Sequence, residues 1–374
     1  MKVTRVTAIP LVAPLDKPWS TGVATFTAFY TTLVRVETDD GVIGHGECLA
    51  RYAPRAWADL VNEVLAPVVV GSDPFDVEHT WDRMYRSFGS FSGHSRGLVL
   101  EAISGIDIAL WDVMGQASGQ PVARLLGGTP RDVAAYASSV TVDTIDAMVA
   151  EARSFVDGGF TSMKIKIGRD VPTERGVLTA IREAVGPDVE LYVDSNGAYE
   201  FPEAIRIADM LEEVDVRWFE EPVRTEYRGS YAKLRAVTKI PLAAGEGEFT
   251  RWGMHELLQT GAIDIVQPDI CRSGGITETR KMAMLATLYH ARYAPHVGGS
   301  GALCAAASVH LAAAMPNFYT YECSVPANPL RDDLVLEPVG HGDSVRNGVI
   351  PVPDRPGLGI EIDEKVVERY RVDD

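Results

Sequence analysis

Lys166, Asp194, Glu220, Glu246, Asp269, His296 and Glu322 follow one another at intervals of 28, 26, 26, 23, 27 and 26 residues. Each can move a proton, carry a charge or hold a metal ion, and each interval is about one strand-plus-helix unit. Charges scattered over a surface would not keep that phase. Residues at the C-terminal ends of successive barrel strands would, because they converge on one rim. Asp194, Glu220 and Glu246 then form three carboxylates on neighbouring strands. They repel one another in a poorly hydrated site, and a hard dication such as Mg2+ relieves that repulsion while keeping positions for water and substrate. They are the candidate metal ligands. Strand alternation should turn Glu221 to the opposite face, and Glu248 shares the parity of Glu246 but lies past the strand end.

The segment SMKIKIG puts Lys164 and Lys166 on one strand face and Met163, Ile165 and Ile167 on the other. The apolar face suits packing against helices, so both lysines point into the barrel. Buried ammonium groups are costly unless paired or used, and two close lysines lower each other's pKa, which favours a base near neutral pH. Asp269 and His296 end successive strands. A carboxylate on one imidazole nitrogen fixes the tautomer and raises the basicity of the other, so His296 is a candidate base facing the lysines. Glu322 suits either a hydrogen bond to a substrate carboxylate or a structural partnership with a lysine.

These groups need a frame. From about Val133, β-rich runs at 133–138, 162–167, 190–195, 216–221, 241–246, 263–269, 291–296 and 318–323 alternate with amphipathic stretches. Eight strands alternating with helices specify a parallel barrel. In the first helix Ile145, Met148, Val149, Ala152, Phe155 and Val156 share one face, and Gly158-Gly159 can end it. Residues 1–125 read as strands followed by helices, an α+β unit with a turn at Asp39-Asp40-Gly41. Residues 126–337 form the barrel, and the loop-rich segment 338–374 is expected to pack back on the N-terminal unit. Loops at 15–26, 45–55 and around His94 can cover the barrel mouth. They offer Lys17, Trp19, Ser20, Arg51, Tyr52 and His94 to a substrate, with Asn196 from the barrel side.

The 374 residues carry 35 basic and 52 acidic side chains, a net charge of −17. Such a surface repels nucleic acid and anionic lipid, so neither is an expected partner, and an acidic substrate must be captured by local positive charge. No run of 18 apolar residues and no secretory signal occurs. Cys48, Cys271, Cys304 and Cys323 are far apart in sequence and read as free thiols of a reducing cytoplasm.

The ordered set KIKIG, YVDSN, WFEEP, AAGEGE, QPD and APH, with GIDIALWDVMG and RLLGG nearer the N-terminus, resembles the enolase superfamily, mandelate racemase subgroup. The resemblance spans nearly the whole chain. It implies a modified (β/α)7β TIM-type barrel under an α+β capping domain, Mg2+, a Lys or His base that removes the proton next to a substrate carboxylate, and homo-oligomers. On that implication the metal and Lys164 bind the carboxylate and lower the cost of an enediolate, while Lys166 or His296 takes the proton. Return of a proton to Cα then gives an epimer, and departure of a β-oxygen gives dehydration or lactone chemistry. Within the subgroup the motifs are most similar to the acid-sugar members, galactarolactone cycloisomerases and acid-sugar dehydratases. Gly197 departs from the cycloisomerase pattern, which has a histidine there. A Schiff-base aldolase on a barrel lysine and a non-catalytic barrel are the competing readings. The first would resist chelators and be trapped by borohydride; the complete set of strand-end groups argues against the second.

Overall fold

The β-branched and aromatic runs at the N-terminus form a three-stranded antiparallel sheet, β1 (Val3–Ser20), β2 (Thr25–Thr38) and β3 (Ile43–Cys48). This computed structural model describes residues 1–21, 23–87 and 94–372, without the side chains of Lys17, Trp19 and Asp343. The turn at residues 39–41 joins β2 to β3 as expected. The segment 15–26, expected as a loop, is largely strand: Trp19 pairs with Phe26 and Ser20 with Thr25 after a register shift beyond Pro14. Pro14 and Pro18 have no amide to donate, so the ladder breaks there and resumes nearer the turn.

The helix Leu98–Ser118 is buried on nearly every side because it lies between sheet and barrel. It approaches β3 so closely that a Cβ on Gly46 would come within 2.0 Å of the Gly105 carbonyl oxygen. Towards the barrel it receives hydrogen bonds from the Thr277 amide to Asp107 Oδ2 (2.9 Å) and from the Gly274 amide to Ser104 Oγ (2.9 Å), and Trp111 Nε1 donates to Thr277 Oγ1 (2.8 Å). The cap thus grips the start of the helix Gly275–Ala286, which follows a site-bearing strand.

All eight expected barrel runs carry a strand: β4 (Val133–Val140), β5 (Ser162–Lys166), β6 (Glu190–Asp194), β7 (Val216–Glu220), β8 (Leu242–Ala244), β9 (Ile265–Val266), β10 (Arg292–Tyr293) and β11 (Tyr321–Ser324). They hydrogen-bond in parallel in the order β10-β9-β8-β7-β6-β5-β4-β11. A parallel bridge between Tyr293 and Phe318 joins the two ends, so the sheet is a ring. The first barrel helix, Ile145–Asp157, is capped by the Thr144 hydroxyl and ends at Gly158. Met163, Ile165, Leu191, Val193 and Phe219 face the surrounding helices in one continuous core. Tyr136, Tyr192, Trp218, Ala243, Ile265 and Ala294 form a separate apolar cluster inside the ring. Strand alternation then puts Ser138, Asp194 and Glu220 one step above that floor, on the same inward face.

β12 (Val349–Ile350) pairs antiparallel with β4, whereas Arg371 bridges Leu11, and Glu364 meets Arg35 at 2.6 Å. The C-terminal segment therefore touches both barrel and cap. All four cysteines are buried free thiols. Among the described residues no helix is long and apolar enough to cross a membrane.

Candidate active site

The strand-end residues meet on one rim. Lys164 Nζ lies 2.8 Å from Glu220 Oε1 and 2.8 Å from Glu322 Oε1, and 3.8 Å from Asp194 Oδ2, with no exposed surface. Burial opposes its charge, but the Glu220 and Glu322 carboxylates outweigh burial and hold the ammonium group well above its usual pKa. Lys166 donates to Asp194 Oδ2 and, at 3.1 Å, to Asn196 Oδ1. Asp194 also accepts the Asn196 amide (2.8 Å). Its pKa is lowered, because the two lysines outweigh its burial. Glu220 Oε2 accepts from Gln267 Nε2 at 2.7 Å. Burial, with Asp194 adding to it, pushes the Glu220 carboxyl up to about 8.

Asp194, Glu220 and Glu246 each bring a carboxylate oxygen within 4.8 Å of the other two. Glu246 Oε2 is buried and, among the described residues, has no hydrogen-bond partner, although His296 Nε2 stands 3.4 Å away. An all-oxygen donor set with an orphaned anionic atom is what a hard divalent cation satisfies, so these residues could hold a metal ion. Glu246 reaches the cluster because Gly245, just past β8, takes a φ of +134°. That conformation suits glycine, and a Cβ there would also meet the Gln267 nitrogen at 2.9 Å.

His296 Nδ1 lies 2.7 Å from Asp269 Oδ2, and the two residues also form a parallel backbone bridge. Asp269 Oδ1 accepts the Cys271 amide at 2.8 Å, which fixes its orientation. Burial works against a charged imidazole, but Glu246, Glu322 and Asp269 outweigh it and raise the His296 pKa. Glu322 accepts from Ser138 Oγ (2.7 Å) and from the amides of Val297 (2.7 Å) and Gly298 (3.1 Å). With Lys164 beside it, its pKa falls despite burial, so it faces the site as a carboxylate.

A cavity of about 250 Å3 opens over this rim. Lys166, Asn196, Glu246, His296 and Glu322 line it from the barrel and Arg51 from the cap. Lys164 does not; it lies enclosed behind Glu220 and Glu322, unlike the expected direct contact with substrate. Glu221 does line it, against the expectation from alternation. β7 ends at Glu220, and Glu221 takes a φ of +39°, where the two-residue period no longer applies. Burial and the nearby Glu246, Asp194 and Glu220 raise its pKa. Glu248 is elsewhere, paired with Arg228 at 2.9 Å.

Of the other cap residues proposed to meet substrate, Ser20 bonds Thr25 Oγ1 (2.9 Å) and borders a different groove. Tyr52 is 58% exposed and packs on Phe26 and Tyr30. His94 is exposed and away from the described cavity lining. The side chains of Lys17 and Trp19 lie outside the described residues, as do residues 88–93 of the loop preceding His94. Ser138, Ser139 and Ser324 also line the cavity, although the run of strand-end residues from Lys166 to Glu322 does not include them. Ser138, like Lys166 and Asp194, sits near the C-terminal end of a barrel strand. Extending the count of strand ends back by one strand would have found it.

Residues 3–127 match the family model described as "Mandelate racemase / muconate lactonizing enzyme, N-terminal domain", and residues 147–366 match "Enolase C-terminal domain-like". The chain is 39% identical over 386 residues to D-galactarolactone cycloisomerase of Agrobacterium fabrum, covering 100% of both. It is 36% identical over 340 residues to arabinonate dehydratase of Saccharolobus solfataricus, covering 90% of this chain and 89% of that one. A crystal structure of a racemase from Streptomyces coelicolor A3(2) with bound magnesium superposes with a TM-score of 0.90 at 27% identity, covering 99% of this chain and 100% of that one.

Proposed function

The chain belongs to the mandelate racemase / muconate lactonizing enzyme family of the enolase superfamily, and from that membership we propose that it removes the α-proton of an acid-sugar carboxylate with the help of Mg2+ and completes a dehydration or an aldarolactone cycloisomerisation. The observation that carries the reading is the convergence of Asp194, Glu220 and Glu246 between Lys166 and the His296–Asp269 pair. The two similar enzymes described above, a cycloisomerase and an acid-sugar dehydratase, point to the same substrate class.

Asp194, Glu220 and Glu246 would hold the ion. When bound, Mg2+ supplies Lewis acidity that lowers the cost of the charge left on the substrate carboxylate by proton loss. Glu221 stands beside Asp194, Glu220 and Glu246, and a bound dication would relieve the repulsion among these carboxyl groups. Lys164 fixes Glu220 and Glu322 rather than touching substrate. Lys166, steadied by Asn196, and His296, steadied by Asp269, both face the cavity. One of them accepts the α-proton. In a dehydration the other gives a proton to the departing β-oxygen, so the Cα–H and Cβ–O bonds break and water leaves. Because two proton-carrying groups line the same cavity, epimerisation of a hydroxy acid or amino-acid derivative is a second reading. There the other group returns a proton to Cα.

Proton NMR in D2O with Mg2+, over aldarates, aldonates, their lactones and hydroxy and amino acids, tests the reading. The expected result is loss of an α-proton signal with an acid sugar, silenced by EDTA and restored by Mg2+. Deuterium in recovered substrate would mark epimerisation; a 2-keto-3-deoxy product would mark dehydration. Activity that survives EDTA and is trapped by borohydride would replace this reading with a Schiff-base lysine.

A further inference from the structure

Arg51 differs in its partners from Arg228, Arg251 and Arg272. Arg228 is paired with Glu248 at 2.9 Å, Arg251 with Glu278 at 2.7 Å and Arg272 with Glu101 at 3.2 Å. The Arg51 guanidinium donates one hydrogen bond, from Nη2 to the Gly298 carbonyl at 3.4 Å. Among the described residues no carboxylate comes within the 4.0 Å of an ion pair. It lies over Gly299, where a Cβ would stand 3.1 Å from Nη1, three residues beyond His296. It is half-buried against the wall formed by Phe26, Phe29 and Tyr30. Five N–H donors in a rigid fork, partly withdrawn from water and with one partner among the described residues, leave most of their capacity unused at the cavity lining.

We infer that Arg51 binds the distal end of the substrate, and that this end is a second oxidised carbon, a carboxylate or a lactone carbonyl, rather than a primary alcohol. The inference rests on the reading above, in which the reacting carboxylate lies at the barrel rim. The cavity, about 250 Å3, is smaller than the roughly 300–1,000 Å3 of sites for drug-sized ligands. A six-carbon acid anchored at the rim therefore places its far end against the cap. The cap wall there is otherwise Val23, Ala24 and Phe26, with the Thr21 hydroxyl. Arg51 is the cap's charged contribution to the described lining. A carboxylate takes the guanidinium in two parallel bonds and a lactone carbonyl takes one, while a CH2OH group leaves a partly desolvated cation poorly satisfied. Arg51 is thus the residue that separates aldarates and their lactones from aldonates.

The test compares kcat/KM for a six-carbon aldarate, its 1,4-lactone and the aldonate ending in CH2OH, in the native enzyme and in Arg51→Met and Arg51→Lys, all with Mg2+. The native enzyme should prefer the aldarate or the lactone, and which of the two it prefers identifies the distal group. Arg51→Met should lower kcat/KM for that substrate roughly 10- to 100-fold. The loss should fall mainly in KM, because a contact remote from the reacting carbon is equal in ground and transition states, and the aldonate should change by less than about threefold. Calorimetric binding of the preferred acid should weaken by the same factor, and Arg51→Lys should fall between, with both variants melting as the native protein does. A native preference for the aldonate, or an equal loss on all three substrates in both variants, overturns the inference while the enzyme class stands. Absence of α-proton exchange with every acid overturns the class and this inference together.

Discussion

The two walls of the cavity are built differently. On the barrel side, Lys166 and Glu322 in the lining and Lys164, Asp194 and Glu220 behind it each touch at least two hydrogen-bonding or charged partners, and all are buried. On the cap wall, Arg51 has one backbone partner, and Tyr52 beside it is mostly exposed. Interlocked buried charges are strongly coupled, because removing one leaves its partner unpaired in a low dielectric. Loosely held cap residues can change without disturbing that network. The contrast teaches how one barrel can keep a single set of coupled charges at its rim while the cap above it is altered.

The most damaging way to probe the barrel wall is to remove a proton carrier. Lys166→Ala and His296→Asn should each lower the α-proton exchange rate by about 10²- to 10⁴-fold, with circular dichroism unchanged. Full exchange activity in both variants would break the distinction between the walls. Just below the rim, Trp218 is fully buried and stacks on Tyr192 with centroids 3.8 Å apart. Trp218→Ala should cost about 3–5 kcal/mol of stability in chemical denaturation; a loss under 1 kcal/mol would mean that the floor does not support the rim.

Asp269→Asn sharpens the comparison further. Asp269 is one of the carboxylates that raise the His296 pKa. If His296 is the base, activity rises with pH through that pKa, so removing Asp269 should move the acid limb of kcat/KM to lower pH. The plateau should fall roughly 10- to 100-fold as the imidazole loses its orienting partner. An unmoved limb would show that another group titrates. The smallest effect is expected on the cap: Tyr52→Ala should change melting by no more than a few degrees, corresponding to about 0.5 kcal/mol for an exposed position, and should leave exchange on the barrel wall intact. A loss comparable to that of Trp218→Ala would erase the difference between the two walls.

Much of the rim was legible because strand ends recur at a constant interval and the two-residue period of a strand is local. Lys164 and Lys166 share a face for that reason alone, and Asp269 and His296 are neighbours because their strands are. The reading failed where strands stop. Alternation puts Glu221 on the outer face, yet its positive φ turns it into the cavity lining, and Lys164, on the inward face, is enclosed by two carboxylates instead of reaching substrate space. Segment 15–26 read as a loop because its prolines interrupt the pattern, yet the hairpin resumes beyond them.

By itself, the amino-acid sequence determined the ring of eight strands and the carboxylate, ammonium and imidazole groups at their ends. These depend on periodicity and side-chain chemistry, which are properties of short segments. The tertiary structure alone decided that Glu246 meets Asp194 and Glu220, that Glu322 is held as an anion by Lys164 and two amides, and that, among the described residues, one Glu246 oxygen is unsatisfied and Arg51 lines the cavity without an acidic partner. Those facts depend on backbone bends past the strand ends and on the docking of cap against barrel, which bring together residues hundreds of positions apart.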